Sequence, residues 1–209
     1  VAEILTKHIN MKLVTFAGAQ STGKTTLLKE LKSILPSDRV EYVDEVTRRL
    51  KKEYGVNINE DGSVLTQYLI MADHLQNALR PGADGTVLKV LDRGALDGLI
   101  YTEWLLKQVT EEAKEVDWLK CHRHAINIFN LVKSKYDLIF YTDHADVEVE
   151  DDGERSIDIE FRADVIRSFK KRINDFSPNL FDRVVVLRGS VDQRMDTILE
   201  NLQKIGVAV

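Results

Sequence analysis

The run Gly18-Ala19-Gln20-Ser21-Thr22-Gly23-Lys24-Thr25 carries the spacing G-x-x-x-x-G-K-[ST] and follows the apolar stretch Leu13-Val14-Thr15-Phe16-Ala17. Such a strand delivers the chain into a glycine-rich turn, and a helix starting at the lysine points its N-terminus at the same spot. Backbone N–H groups then converge on one anion. Lys24 reaches the β/γ oxygens of a bound polyphosphate, and the Thr25 hydroxyl is a hard-cation donor beside them. These residues predict binding of a nucleoside triphosphate, with ATP held by residues 18–26 (Gly18, Ala19, Gln20, Ser21, Thr22, Gly23, Lys24, Thr25 and Thr26) and Mg²⁺ beside Thr25.

Two further strand ends carry acids. Val40-Glu41-Tyr42-Val43 runs into Asp44-Glu45, with Arg48 and Arg49 close behind, and Val87-Leu88-Lys89-Val90-Leu91 runs into Asp92-Arg93. An acid beside a phosphate loop can hold Mg²⁺ or take a proton from an attacking hydroxyl. Asp92 is expected as the second metal donor, and Asp44 or Glu45 as the proton acceptor. A helix N-cap and first-turn acid is the structural alternative for that pair. Arg48 stands near a helix start, where the macrodipole disfavours cations, so an anion is its natural partner. Arg48 and Arg93 are expected to orient the acceptor. Farther on, Arg155 lies in the polar loop 151–156 and Arg162 on the helix that follows; as part of a lid over about 144–162 they would neutralise charge on the transferring phosphoryl group. The cations that follow, Lys170, Lys171 and Arg172, read as a solvated helix face.

Other residues invite chemistry and do not support it. His122 and His124 are two apart on a helix and point to different faces, which rules out a shared metal face. The one cysteine, Cys121, permits no intrachain disulfide and reads as a small packed residue. Tyr101, Trp104 and Trp118 read as core, with stacking on a substrate ring as the alternative. The net charge of −5 argues against a nonspecific nucleic-acid coat but leaves room for a local basic groove.

Short β-branched runs alternating with amphipathic stretches position these groups. Strands are predicted at 12–17, 40–44, 86–91, 137–142 and 183–187, and helices at 24–35, 46–54, 64–80, 95–108, 111–135, 158–175 and 191–205. The pattern is α/β: a parallel sheet of about five strands flanked by helices, with a helical insertion and a lid. Right-handed crossovers bring the strand C-terminal ends to one edge, where open α/β sheets bind ligands. Residues 11–209 are expected to form one domain, with 1–10 an N-terminal extension or expression remnant. No run is long enough to span a bilayer and no secretory signal is visible, so a cytoplasmic protein is expected.

The phosphate loop together with Val43-Asp44-Glu45-Val46-Thr47-Arg48-Arg49-Leu50, Leu91-Asp92-Arg93-Gly94-Ala95-Leu96-Asp97 and Asp152-Gly153-Glu154-Arg155-Ser156 resembles the P-loop kinase-like AAA-type domains. That group includes the ribosylnicotinamide kinase domain of bacterial NAD regulators and many phage-encoded relatives. The Glu45 to Arg48 spacing also resembles phage polynucleotide kinase. The resemblance implies the P-loop NTPase fold of nucleoside and nucleotide kinases, ATP on the loop, and an acceptor hydroxyl over the second and third strand ends. Asp97 then joins Glu45, Arg48 and Arg93 at the acceptor, and a phage origin would place the protein in the host cytoplasm.

The reaction implied is ATP-dependent phosphoryl transfer to a hydroxyl of a nucleoside-like small molecule. A DNA or RNA hydroxyl, or ATP hydrolysis with no acceptor, are the competing readings. A GTPase is disfavoured by the lack of an Asn-Lys-x-Asp element. A ring ATPase would carry glutamate after the strand-end aspartate, where Arg93 stands.

Overall fold

The computed structural model describes residues 11–35, 38–110, 112–143 and 159–208. Five strands, β1 (Lys12–Ala17), β2 (Val40–Val43), β3 (Leu88–Asp92), β4 (Leu138–Thr142) and β5 (Val184–Leu187), form one sheet in the order β2-β3-β1-β4-β5. Every pairing is parallel. The phosphate-loop strand β1 therefore lies in the middle, with β3 on one side and β4 on the other.

Among the described residues, eight helices connect and cover the strands: α1 (Lys24–Ile34), α2 (Val46–Tyr54), α3 (Val64–Leu79), α4 (Ala95–Lys107), α5 (Glu112–Val132), α6 (Ile159–Asn174), α7 (Pro178–Phe181) and α8 (Val191–Lys204). Alternation along β1 splits its side chains between two cores. Val14 and Phe16 pack with Leu27 and Leu31 of α1 and Ile198 of α8, while Leu13 and Ala17 join Leu96, Ile128 and Phe169 from α4, α5 and α6. The Phe16 ring lies 5.2 Å from that of Phe140 on the neighbouring strand. Truncating Phe16, which is fully buried, would cost about 3–5 kcal/mol. A third, smaller cluster, Val46 and Leu50 against Ile70, ties α2 to α3.

Local chemistry marks where these helices begin. The Ser63 side chain accepts the Thr66 N–H at the start of α3, and Ser190 with Gln193 forms a reciprocal cap on α8. Two elements escape the periodicity: α7 and a single 3₁₀ turn at Asn59–Asp61. Both are shorter than an amphipathic repeat, so no pattern can develop in them. Strand β3 begins two residues later than expected and ends one later, which places Asp92 inside the ladder opposite Phe16. No helix among the described residues is long and apolar enough to cross a membrane.

Candidate active site

The loop between β1 and α1 depends on its glycines. Gly18 has φ of 138°, and a Cβ there would lie 2.6 Å from the Thr142 carbonyl oxygen at the end of β4. Gly23 has φ of 87°, a left-handed conformation that costs glycine nothing. Ser21, at φ 52°, adopts the same region without that freedom and is held from outside. Arg162 of α6 donates from Nη2 to the Ser21 carbonyl at 3.0 Å, and Arg194 of α8 donates from Nη1 to the Thr22 carbonyl at 3.2 Å. The hydroxyls of Thr22 and Thr142 are hydrogen-bonded at 2.6 Å. Lys24 Nζ lies within the loop, donating to the Gly18 and Ala19 carbonyls at 2.8 and 2.5 Å. Burial, then the nearby Arg93 guanidinium, lowers its pKa to about 7.

Arg93 links this loop to the acid at the end of β2. Its Nε donates to Glu45 Oε1 at 2.7 Å, while Nη1 donates to the Gly18 carbonyl at 2.9 Å and to Asp97 Oδ1 at 3.1 Å. The residue holds φ of 75°, a conformation costing about 1–3 kcal/mol outside glycine, which these contacts must offset. Its guanidinium also lies 5.6 Å from the centre of the Tyr101 ring, whose hydroxyl donates to Gln20 Oε1 at 2.9 Å.

Glu45 is held on both oxygens. Thr47 Oγ1 donates to Oε1 at 2.8 Å and Arg48 Nε to Oε2 at 3.1 Å. Burial would raise its pKa, but Arg93, the Thr47 hydroxyl, Lys24 and Arg48 outweigh it and bring the carboxyl to about 2. For Asp97 the balance reverses: burial dominates Arg93 and the amide hydrogen bonds, and the pKa rises to about 6. Burial, then Glu45, also raises Asp92.

Glu45 stands between two spaces. Outward lies a cleft of about 880 Å³ lined also by Thr25, Asp44 and Asp92. Inward lies a cavity of about 20 Å³, enough for about one water, bounded by Gln67, His74, Arg93, Asp97 and Tyr101. His74 is fully buried there, its pKa lowered by burial to about 3, so it stays neutral.

The structure separates the two candidate bases. Asp44 has a side chain 92% exposed, with Lys32 Nζ at 3.4 Å, while Glu45 is 16% exposed and turned toward Arg93. Thr25 and Asp92 share the cleft. Asp97, expected at the acceptor, instead has Oδ1 accepting the Gly18 N–H at 3.1 Å and Oδ2 accepting that of Gly94 at 3.5 Å. It is 1% exposed, so its contacts tie the phosphate loop to the start of α4. Arg49 pairs with Glu53 and with Asp73 of α3 and serves the α2–α3 contact. Arg155 and residues 144–158 of the expected lid lie outside the described residues, as do residues 1–10.

Among the residues read as packing, Trp104 meets Phe161 edge-on at 4.4 Å, His122 contacts Glu103, and burial raises Cys121 to about 11. Two loop supports were missed from sequence: Arg194 and Thr142. Arg194 lies 172 residues beyond the carbonyl it holds, and on α8 it resembles any other helix cation.

The oxygen donors present suit Mg²⁺. No cluster of three or more His, Cys, Asp or Glu able to hold a metal occurs among the described residues. A hydroxyl and one carboxylate beside a phosphate loop are instead the sparse set with which Mg²⁺ completes its shell from water and substrate phosphate.

A family model described as an AAA domain matches residues 13–194. No curated protein matches the sequence significantly. Among solved structures, NadR in complex with NR superposes with a TM-score of 0.71 at 20% identity, covering 100% of this chain and 55% of that one. Thymidylate kinase from Candida albicans gives 0.62 at 17% identity, covering 93% and 92% respectively. Deoxyadenosine kinase from M. mycoides, solved with the products dCMP and dCDP, gives 0.59 at 14%, covering 92% and 99%. A second NadR structure, with NAD and AMP-PNP, gives 0.70 at 18%, covering 95% and 51%. The chain thus spans about half the length of the NadR chains, and at these identities the likeness is one of fold. With a match running from the phosphate-loop strand to Arg194, the chain belongs to this AAA domain family, with the kinase-like P-loop architecture.

Proposed function

We propose that the protein transfers the γ-phosphoryl group of ATP to a hydroxyl of an acceptor containing a nucleoside unit. The observation that carries this reading is the bridge through Arg93, which joins an ionised carboxylate at the β2 end to the first carbonyl of the phosphate loop. A ring ATPase would carry its water-polarising glutamate directly after Asp92, where this chain has Arg93; the fixed carboxylate here comes instead from the end of the neighbouring strand β2. The fold shared with thymidylate and deoxyadenosine kinases supports the same reading.

In this mechanism Lys24 and the amides of residues 18–26 hold the β- and γ-phosphates, and Arg162 keeps the loop in shape through the Ser21 carbonyl. Thr25 and Asp92 would hold Mg²⁺, which when bound neutralises charge on the phosphate oxygens. Glu45 orients the acceptor hydroxyl. With a pKa near 2 it is a weak base, so it receives the proton late, as the new P–O bond forms and the bond to the β-phosphate oxygen breaks. Arg48 and Arg93 fix that carboxylate from two sides, Asp97 positions the loop, and Arg155 is assigned to the closing charge shell. Asp44, exposed at the cleft rim, is not assigned the proton.

Incubation with γ-labelled ATP and a panel of nucleosides, nucleotides, ribosylnicotinamide and 5′-hydroxyl DNA tests the proposal. Label in an acceptor supports it, with loss of transfer in Lys24→Ala. Label released only as inorganic phosphate, at a rate no acceptor changes, overturns it.

A further inference from the structure

The large cleft has a charge distribution unlike the rest of the molecule. Six of its lining residues are Lys or Arg and four are Asp or Glu, in a chain whose net charge is −5. Its banks are two helical stripes. Thr25, Lys29 and Lys32 repeat along α1, and Arg48 and Lys52 along α2, at spacings of three, four and seven residues that keep them on one face. At 1.5 Å per residue the α1 bank is about 10 Å long and the α2 bank about 6 Å, and the longer exceeds what one phosphate group requires. Among the described residues, Lys29, Lys51 and Lys52 have no carboxylate within ion-pair distance, and all three are exposed. Between the banks the floor is apolar and aromatic: Leu28, Val90, Ile58 and the ring of Tyr42, with Lys32 Nζ 5.2 Å above its centre.

Cationic banks over an aromatic floor are the two features that hold single-stranded nucleic acid, one for phosphodiesters and the other for base faces. The inner cavity, with room for about one water, does not house a nucleobase, so an acceptor that reaches Glu45 lies along the outer cleft.

We infer that the acceptor is a nucleic-acid strand with a terminal hydroxyl, its end at Glu45 and its first phosphodiesters between Lys29 of α1 and Lys51 and Lys52 of α2. The inference rests on the phosphotransferase reading for its chemistry but on the groove alone for binding.

Fluorescence anisotropy with a 3′-labelled, 5′-hydroxyl single strand of about ten nucleotides separates the two. For the wild-type protein, log affinity should fall linearly with log salt. The Lys29→Gln/Lys51→Gln/Lys52→Gln variant should bind at least ~10-fold more weakly, with the salt slope reduced by about 2, since each single-strand phosphate contact contributes about 0.7. ATP affinity, measured on the same samples, should be unchanged within about twofold, because none of the three lysine side chains is hydrogen-bonded to residues 18–26. Equal strand affinity in variant and wild type overturns the inference, as does displacement of the strand by a nucleoside monophosphate at comparable concentration. Lysine-dependent binding without label transfer from ATP would leave the groove standing and remove the kinase reading. Transfer to free nucleosides with a KM that the variant does not alter would do the reverse.

Discussion

On the inner side of Glu45, charges are buried and geometrically committed; on the outer side Lys29, Lys51 and Lys52 are exposed, with no carboxylate among the described residues within ion-pair distance. Arg93 and Asp97 have side chains 10% and 2% exposed, Lys24 is 5% exposed, and each is hydrogen-bonded to the loop. Taking such ions from water costs several kcal/mol each, recovered only through fixed, well-satisfied geometry. Lys29, Lys51 and Lys52 incur no such cost and can act at a distance through the field they set up in the cleft. The same cationic chemistry is thus divided into positioning, where Arg93 sets an angle, and attraction, where lysines set a potential that salt weakens.

Substitutions should reveal that division, beginning with the largest effect. Lys24→Ala should lower kcat by about 10³-fold, roughly 4 kcal/mol, with circular dichroism unchanged, because a preorganised phosphate contact is lost. Asp97→Asn tests the energetic cost of the inner side. Its folded pKa is raised from 3.8 to about 6, so the stabilisation is fully present below pH 3.8 and is lost as pH rises through 6. Denaturant titrations across that window should show wild type losing about 3 kcal/mol relative to Asp97→Asn; parallel profiles would show that burial does not dominate Arg93 there. Glu45→Gln should lower kcat by about 10²-fold while leaving ATP affinity within about twofold, a split that stopped-flow binding and steady-state rates can read. Lys51→Ala, at the outer bank, should change unfolding free energy by less than about 0.5 kcal/mol.

How far the sequence foretold this arrangement depended on the range of each contact. The shape of the loop between β1 and α1 was legible because it is local: glycine conformations, a lysine and a helix start within eight residues. The helices and strands were legible because 3.6- and 2-residue periods repeat several times within each of them. Which of Asp44 and Glu45 turns toward Arg93 was not, since neighbours at a strand end differ only in which way the chain turns. That turn is set by Arg93, 48 residues away.

Asp97 shows the same limit. The Asp-Arg-x-x-x-Asp spacing points to a carboxylate one helical turn past Arg93, but whether it faces substrate or the Gly18 amide depends on β1 lying beside β3. Arg194 and Thr142 were invisible for a related reason. They reach the loop through the sheet order and the packing of α8, and nothing in their own surroundings in the chain distinguishes them.

The bridge from Glu45 through Arg93 to the phosphate loop is best tested by following the γ-phosphoryl group itself in wild type and in Glu45→Gln, with acceptor present and absent. Wild type should move label onto an acceptor hydroxyl, and Glu45→Gln should lose this transfer while still binding ATP. Label passing to water at the same rate in both proteins, indifferent to acceptor, would contradict it.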